Sequence, residues 1–195
     1  MAEVWMGRRT AMGGASKTVA IKLMAAKVAH EPEFRRLFTS EARLSMLLNN
    51  SNIVQVFDVG EEQGECYMVM EWVDGLNLSQ LCKRLSVAGE RLPPVVSVYV
   101  IAEVLRALSY AHSVRTDEGS VIVHRDVSPQ NVMISTNGEV KIMDFGIARV
   151  ASEDTSGVHV KGKLRYMPPE QLRGETREPT LDLFAVGAML HELLD

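Results

Sequence analysis

The chain has 195 residues, 46% hydrophobic and 24% charged, with a formal net charge of −4 from 21 Lys and Arg against 25 Asp and Glu. That balance excludes a disordered tail, a collagen-like repeat and a disulfide miniprotein, and it offers no basic field for broad nucleic-acid binding. No apolar run reaches the roughly 18 residues of a membrane span, the start at Met1 lacks the form of a signal peptide, and Cys66 and Cys82 lack metal-ligand spacing, so a reduced, cytoplasmic chain with two small apolar thiols is expected.

The first elements read as strands, at Glu3–Arg9 and over Thr18–Leu23, joined by a turn across Met12–Ser16. Residues 31–48 read as a helix: Phe34, Leu37, Phe38, Leu44 and Leu48 recur at helical spacing and Pro32 suits a first turn. Ile53–Val59 and Glu65–Val73 then read as strands around a hairpin loop at Gly60–Gly64, and Asp74-Gly75 breaks the pattern. Leu76–Leu85 and Pro93–His112 read as helices. Val132–Ser135 and Val140–Ile142 are short strands about Asn137-Gly138, a strong two-residue hairpin signal. Thr180–Leu194 is an almost wholly apolar helix interrupted by Asp182, His191 and Glu192. The order predicts an α+β chain of two lobes, β-rich first and mainly helical second, crossing near Gly75.

Three motifs carry chemistry. His124-Arg125-Asp126-Val127-Ser128-Pro129-Gln130-Asn131 precedes the small hairpin, Asp144-Phe145-Gly146 follows it, and Val19-Ala20-Ile21-Lys22 lies on the second strand. Taken singly, the strand lysine, the helix glutamate Glu41 and the turn aspartate read as ordinary surface or capping residues. Together and in this order they resemble the protein-kinase set, most closely that of bacterial Ser/Thr protein kinases. The resemblance covers the whole chain and implies a kinase fold with a small lobe and hinge over residues 1–73 and an incomplete large lobe over 74–195.

The resemblance also implies roles. Phosphoryl transfer needs positioning and charge neutralisation: Lys22 on the ATP phosphates, Glu41 fixing that lysine, Asn131 and Asp144 as oxygen ligands of Mg2+, and Asp126 receiving or orienting the substrate hydroxyl. His124 and Phe145 pack between the two loops. Val4, Ala20 and Met133 sandwich the adenine, Met70 is the gatekeeper, the backbone of Glu71 and Val73 meets the adenine edge, and Asn77 reaches the ribose. The implied partners are ATP and a protein substrate bearing Ser or Thr, the chain itself included, with no nucleic acid and no membrane segment. Asp182 is expected to brace the catalytic-loop backbone.

Several positions depart from the family pattern. Val4 matches the closing valine of GxGxxGxV, but the earlier glycines are missing, so the sequence as written supplies neither that lid nor the strand before it. Ser128 replaces the lysine expected two residues after Asp126, and Lys163 replaces a threonine before Pro168-Pro169-Glu170; Lys163 is expected either to supply the missing charge or to be an exposed loop lysine. The chain ends at Asp195, and an incomplete domain truncated at both ends is expected. Leu181, Leu183, Phe184, Val186, Met189, Leu190, Leu193 and Leu194 should then be partly uncovered. Arg125 implies control by phosphorylation in the loop holding Ser152, Thr155 and Ser156. Two other classes stay open: a pseudokinase-like nucleotide-binding scaffold, and a small-molecule phosphotransferase of related fold, whose usual His-Gly-Asp is not the His-Arg-Asp found here.

Overall fold

A computed structural model of the chain describes residues 2–25, 31–116, 119–145, 164–174 and 178–195. The first sheet has four antiparallel strands in the order β1-β2-β4-β3: β1 (Ala2–Thr10), β2 (Ser16–Met24), β3 (Val56–Glu62) and β4 (Glu65–Glu71). β1 and β2 pair from Ala2 opposite Met24 to Thr10 opposite Ser16. The turn between them runs through Gly13 and Gly14 at φ 83° and 80°, a region in which glycine carries no side-chain penalty.

The β3–β4 connection is tighter than the sequence suggests. Glu62 faces Glu65, so the loop is only Gln63-Gly64, with both φ positive at 52° and 85°. Gly60, expected in the loop, belongs to β3, and β4 stops at Glu71 rather than Val73. Ile53, expected to open β3, instead makes a parallel bridge to Ile142 and joins the core of the second half. Helix α1 (Pro32–Met46) lies over β3 and β4, with Phe38, Glu41, Ala42 and Ser45 buried on its inner face.

A second, three-stranded sheet has the order β5-β6-β7: β5 (Gly75–Asn77), β6 (Val132–Ser135) and β7 (Val140–Ile142). β5 falls where a helix start is expected. A Cβ on Gly75 would lie 2.0 Å from the Ile134 carbonyl oxygen, so only glycine lets the two strands approach this closely. Helix α2 (Leu78–Val87) begins one residue later. Asn77 caps it by accepting from the Gln80 amide at 2.8 Å, while the Gln80 side chain accepts from the Asn77 amide at 3.1 Å.

Helix α3 (Pro94–Ser113) has the length and mean hydropathy, 1.4, of a membrane-crossing segment. Here it is a core helix: Val100, Ile101, Val104, Leu108 and Ala111 are buried, and it packs on β7 and on the last helix. After a short α4 (Pro169–Leu172), α5 (Thr180–Leu194) crosses α3. α5 is more covered than its sequence suggests. Leu181, Val186 and Met189 are buried and Leu190 and Leu193 half-buried, leaving Leu183, Phe184 and Leu194 exposed. The described residues therefore hold two buried clusters, one around β2, β4 and α1 and one around α3, β7 and α5. Cys66 is buried and Cys82 half-buried, as expected of small apolar residues.

Candidate active site

Strand register decides which side chains share a face. Residues directly opposite one another on neighbouring strands project to the same side. Val4 lies opposite Lys22 and Lys22 opposite Met68, while Ala20 lies opposite Met70. One face of the first sheet therefore carries Val4, Ala20, Lys22 and Met70 together. Ala20 and Met70 are buried there, and Val4, near the open edge, is exposed. In the second sheet Asn77 lies opposite Met133, so these two also share a face. Glu71 ends β4, and Val73, half-buried, packs against the first cluster.

Lys22 reaches across from β2 to α1 and to the segment after β7. Its Nζ is 2.8 Å from Glu41 Oε1 and 2.8 Å from Asp144 Oδ1. Burial works against the ammonium, but the Asp144 and Glu41 carboxylates outweigh it and hold the amine well above its usual range. Lys22 is thus a permanent cation. Glu41 is also shifted up: burial pushes its carboxyl up, the Lys22 ammonium opposes this, and the negative charges of Asp144 and Asp126 add to it. The cluster holds two carboxylates around one cation in a low-dielectric setting, which favours a further cation beside Asp144.

The loop after Ile122 is fixed by four polar contacts. Asn131 donates from Nδ2 to the Asp126 carbonyl at 2.8 Å and to Asp126 Oδ2 at 2.9 Å, clamping the carboxylate. The Asp126 amide donates to His124 Nδ1 at 3.3 Å, and His124 Nε2 meets the Met143 carbonyl at 3.1 Å, an arrangement the neutral Nε2–H tautomer satisfies at both ends. The buried His124 ring sits 4.5 Å from that of Phe145, tilted by 42°. Histidine and phenylalanine so pack the loop of Asp126 against the segment of Asp144, as the motif implied.

Asp182, on α5, is buried and accepts from the amides of His124 and Arg125, both at 2.8 Å. His112 Nε2, at the end of α3, lies 2.8 Å from the same carboxylate. Arg125 has φ 66° and Asp144 φ 59°, left-handed values that non-glycine residues hold only when their surroundings enforce them. The Asp182 bond supplies that enforcement at Arg125, whose carbonyl also accepts from Gln171 Nε2 at 2.9 Å. Sequence reasoning missed His112 and Gln171. A histidine near a helix end reads as a favourable terminal charge, and nothing local signals a partner 70 residues away.

Ser128 is buried, and its hydroxyl has no hydrogen-bond partner among the described residues. Gly146, Ser152, Thr155, Ser156 and Lys163 lie outside the described residues. The expected donors therefore converge in two groups. Lys22, Glu41 and Asp144 form one, and Asp126 and Asn131 form the other, joined where the Met143 amide donates to the Asn131 carbonyl at 2.9 Å.

Comparisons with known proteins bear on the family and the fold. The family model of the protein kinase domain matches residues 7–195. A probable serine/threonine-protein kinase of Streptomyces coelicolor is 38% identical over 202 residues, covering 100% of this chain and 28% of its own length. The tyrosine-protein kinase MasK of Myxococcus xanthus is 35% identical, covering 100% of this chain and 31% of its own. The chain thus spans under a third of the length of these relatives. The crystal structure of the Mycobacterium tuberculosis PknI kinase domain superposes with a TM-score of 0.72 at 28% identity, over 99% of this chain and 68% of that one. With its motif residues gathered on a two-lobed α+β frame, the chain belongs to the protein kinase domain family.

Proposed function

We propose that this chain carries out ATP-dependent phosphoryl transfer to Ser or Thr hydroxyls of proteins. The observation that carries the reading is the closed Glu41–Lys22–Asp144 cluster, with Lys22 Nζ at 2.8 Å from both carboxylates. Lys22, pinned by Glu41, is a fixed positive charge for the nucleotide phosphates. Val4, Ala20 and Met70 offer an apolar wall for the adenine and Met133 the opposite wall. The backbone at Glu71 and Val73 would meet the base edge, and Asn77 the ribose. Asp126 would accept the proton of the attacking hydroxyl as the new oxygen–phosphorus bond forms and the bond from the γ-phosphorus to the bridging oxygen breaks, releasing ADP.

The donor set fits Mg2+. Asn131 spends its Nδ2 on Asp126, and its amide oxygen would serve as a hard ligand. Asp144 contributes the carboxylate oxygen that Lys22 does not hold. With Asn131 and Asp144 as its two protein oxygen donors, the site would suit an ion that keeps water and phosphate ligands. Bound there, Mg2+ would neutralise charge on the phosphates. Ser128 brings no charge beside Asp126, so Lys163 is assigned the neutralising role on the transferred phosphate.

The name of the Myxococcus relative favours tyrosine as a second acceptor class, so the test offers all three hydroxyls. The chain is incubated with Mg2+, ATP labelled at the γ-phosphate and peptides bearing Ser, Thr or Tyr, beside Asp126→Asn and Lys163→Ala. Label on Ser or Thr peptides, lost in Asp126→Asn, is the expected result. Unchanged transfer by Lys163→Ala removes the role given to that lysine. Nucleotide binding without any transfer sinks the reading in favour of a scaffold.

A further inference from the structure

Lys141 lies in β7, 7% exposed, with its ammonium enclosed. Nζ is 3.0 Å from Glu71 Oε1 and donates to the Ser51 carbonyl at 2.9 Å. The second Glu71 oxygen, Oε2, accepts from the Gln55 amide at 3.2 Å, and the Glu71 amide donates to the Gln55 carbonyl at 2.8 Å. Three segments therefore meet at one buried cation: the end of β4, the linker between α1 and β3, and β7. Burying a lysine is unfavourable, and an apolar pair of similar volume is often as stable or more so. What the ion pair adds is a fixed geometry.

Its place in the sheet says what that geometry serves. Lys141 stands opposite Met133, which stands opposite Asn77, so all three side chains share one face. Three residues further along the chain is Asp144, which reaches Lys22.

We propose that Lys141 is a positioning residue of the nucleotide site. Through Glu71 it locks the backbone leaving β4 onto β7, and so sets the distance between the surface that receives the base and the carboxylate beside the phosphates. The inference rests on the reading above that residues 71–73 meet the adenine. It predicts that losing Lys141 weakens recognition of the base, whether or not phosphates are attached.

The test compares Lys141→Met, Lys22→Met and the double variant Lys141→Met/Glu71→Leu in the full chain. Adenosine and Mg-ATP are titrated by calorimetry, and thermal melts are recorded in parallel. Lys141→Met should weaken adenosine and Mg-ATP by the same factor, about tenfold. Lys22→Met should weaken Mg-ATP and leave adenosine unchanged. The double variant, with both charges replaced by apolar groups, should melt closer to wild type than Lys141→Met does, short of it because the Gln55 amide loses its side-chain acceptor, yet remain as weak toward adenosine. It also serves if the single variant does not fold. Wild-type adenosine affinity in the double variant, or a loss confined to Mg-ATP, overturns the proposal and leaves Lys141 a purely structural residue. If the wild-type chain takes up neither adenosine nor Mg-ATP, the functional reading itself falls.

Discussion

Asp182→Asn is a sharp perturbation because it preserves shape and removes one acceptor. The carboxylate takes the Arg125 amide on Oδ1 and the His124 amide and His112 ring on Oδ2, all at 2.8 Å. An asparagine has a single acceptor oxygen and two N–H donors. In either orientation one buried backbone N–H must face another N–H. Leaving a buried amide unpaired costs roughly 1–3 kcal/mol, and the bonds that survive lose their charge assistance. A total near ~3 kcal/mol lowers the melting temperature of a chain this long by roughly 6–12 °C. The functional loss should exceed the stability loss. Arg125, at φ 66°, relaxes once its amide is released, and Asp126 follows it in sequence. The assay is a thermal melt by circular dichroism with phosphoryl transfer measured at saturating Mg-ATP well below the melting temperature. A variant melting within about 1 °C of wild type and transferring phosphate at the same rate would refute the bracing role.

Other outcomes follow from the same contacts. Burial raises the Glu41 carboxyl, with Lys22 opposing, so the folded state holds that proton more tightly than the unfolded chain. Its stabilising contribution is complete below the unfolded value near 4.5 and is lost as pH rises through the folded value. In urea melts the stability of wild type relative to Glu41→Gln should therefore fall as pH rises from near 4.5, while phosphoryl transfer by the variant is impaired throughout; a wild-type stability that rises relative to the variant with pH contradicts this. Gly75→Ala would place a methyl group 2.0 Å from the Ile134 oxygen; forced separation of β5 from β6 should cost about 1–3 kcal/mol, read as a lowered urea midpoint. Asn77→Ala removes one half of a capping box and should cost about 1 kcal/mol, a drop of about 2–4 °C in melting temperature.

The parts of the fold legible in the sequence were those set by local chemistry. The hairpin of β6 and β7 runs over the residues expected from Asn137-Gly138 and its apolar flanks, and α5 spans Thr180–Leu194 as read. What was illegible depended on distant partners. Ile53–Gln55 has the composition of a strand, but Ile53 pairs with Ile142 rather than with β4. β5 is three residues long, and Asn77 serves it and the α2 cap at once, so the helix signal hid the strand. The motif residues proposed for the site were read from their order and spacing. Their supports, His112, Gln171 and Lys141, were not, because each acts through a contact made only once the chain is folded. Asp182 was an exception, reached through resemblance and borne out by its bonds to the His124 and Arg125 amides.

The central claim is that Lys22, Asn131 and Asp144 form a metal-nucleotide site. Its most direct test is a thermal-shift titration of the chain with Mg-ATP beside Asp144→Ala. Ligand at one hundred times its dissociation constant stabilises a single site by about 2.7 kcal/mol, a rise of roughly 5–11 °C at this chain length. The account predicts that rise in the wild type, its disappearance when Mg2+ is chelated, and its absence in Asp144→Ala. A cooperative melt in the wild type that does not move with Mg-ATP would contradict it.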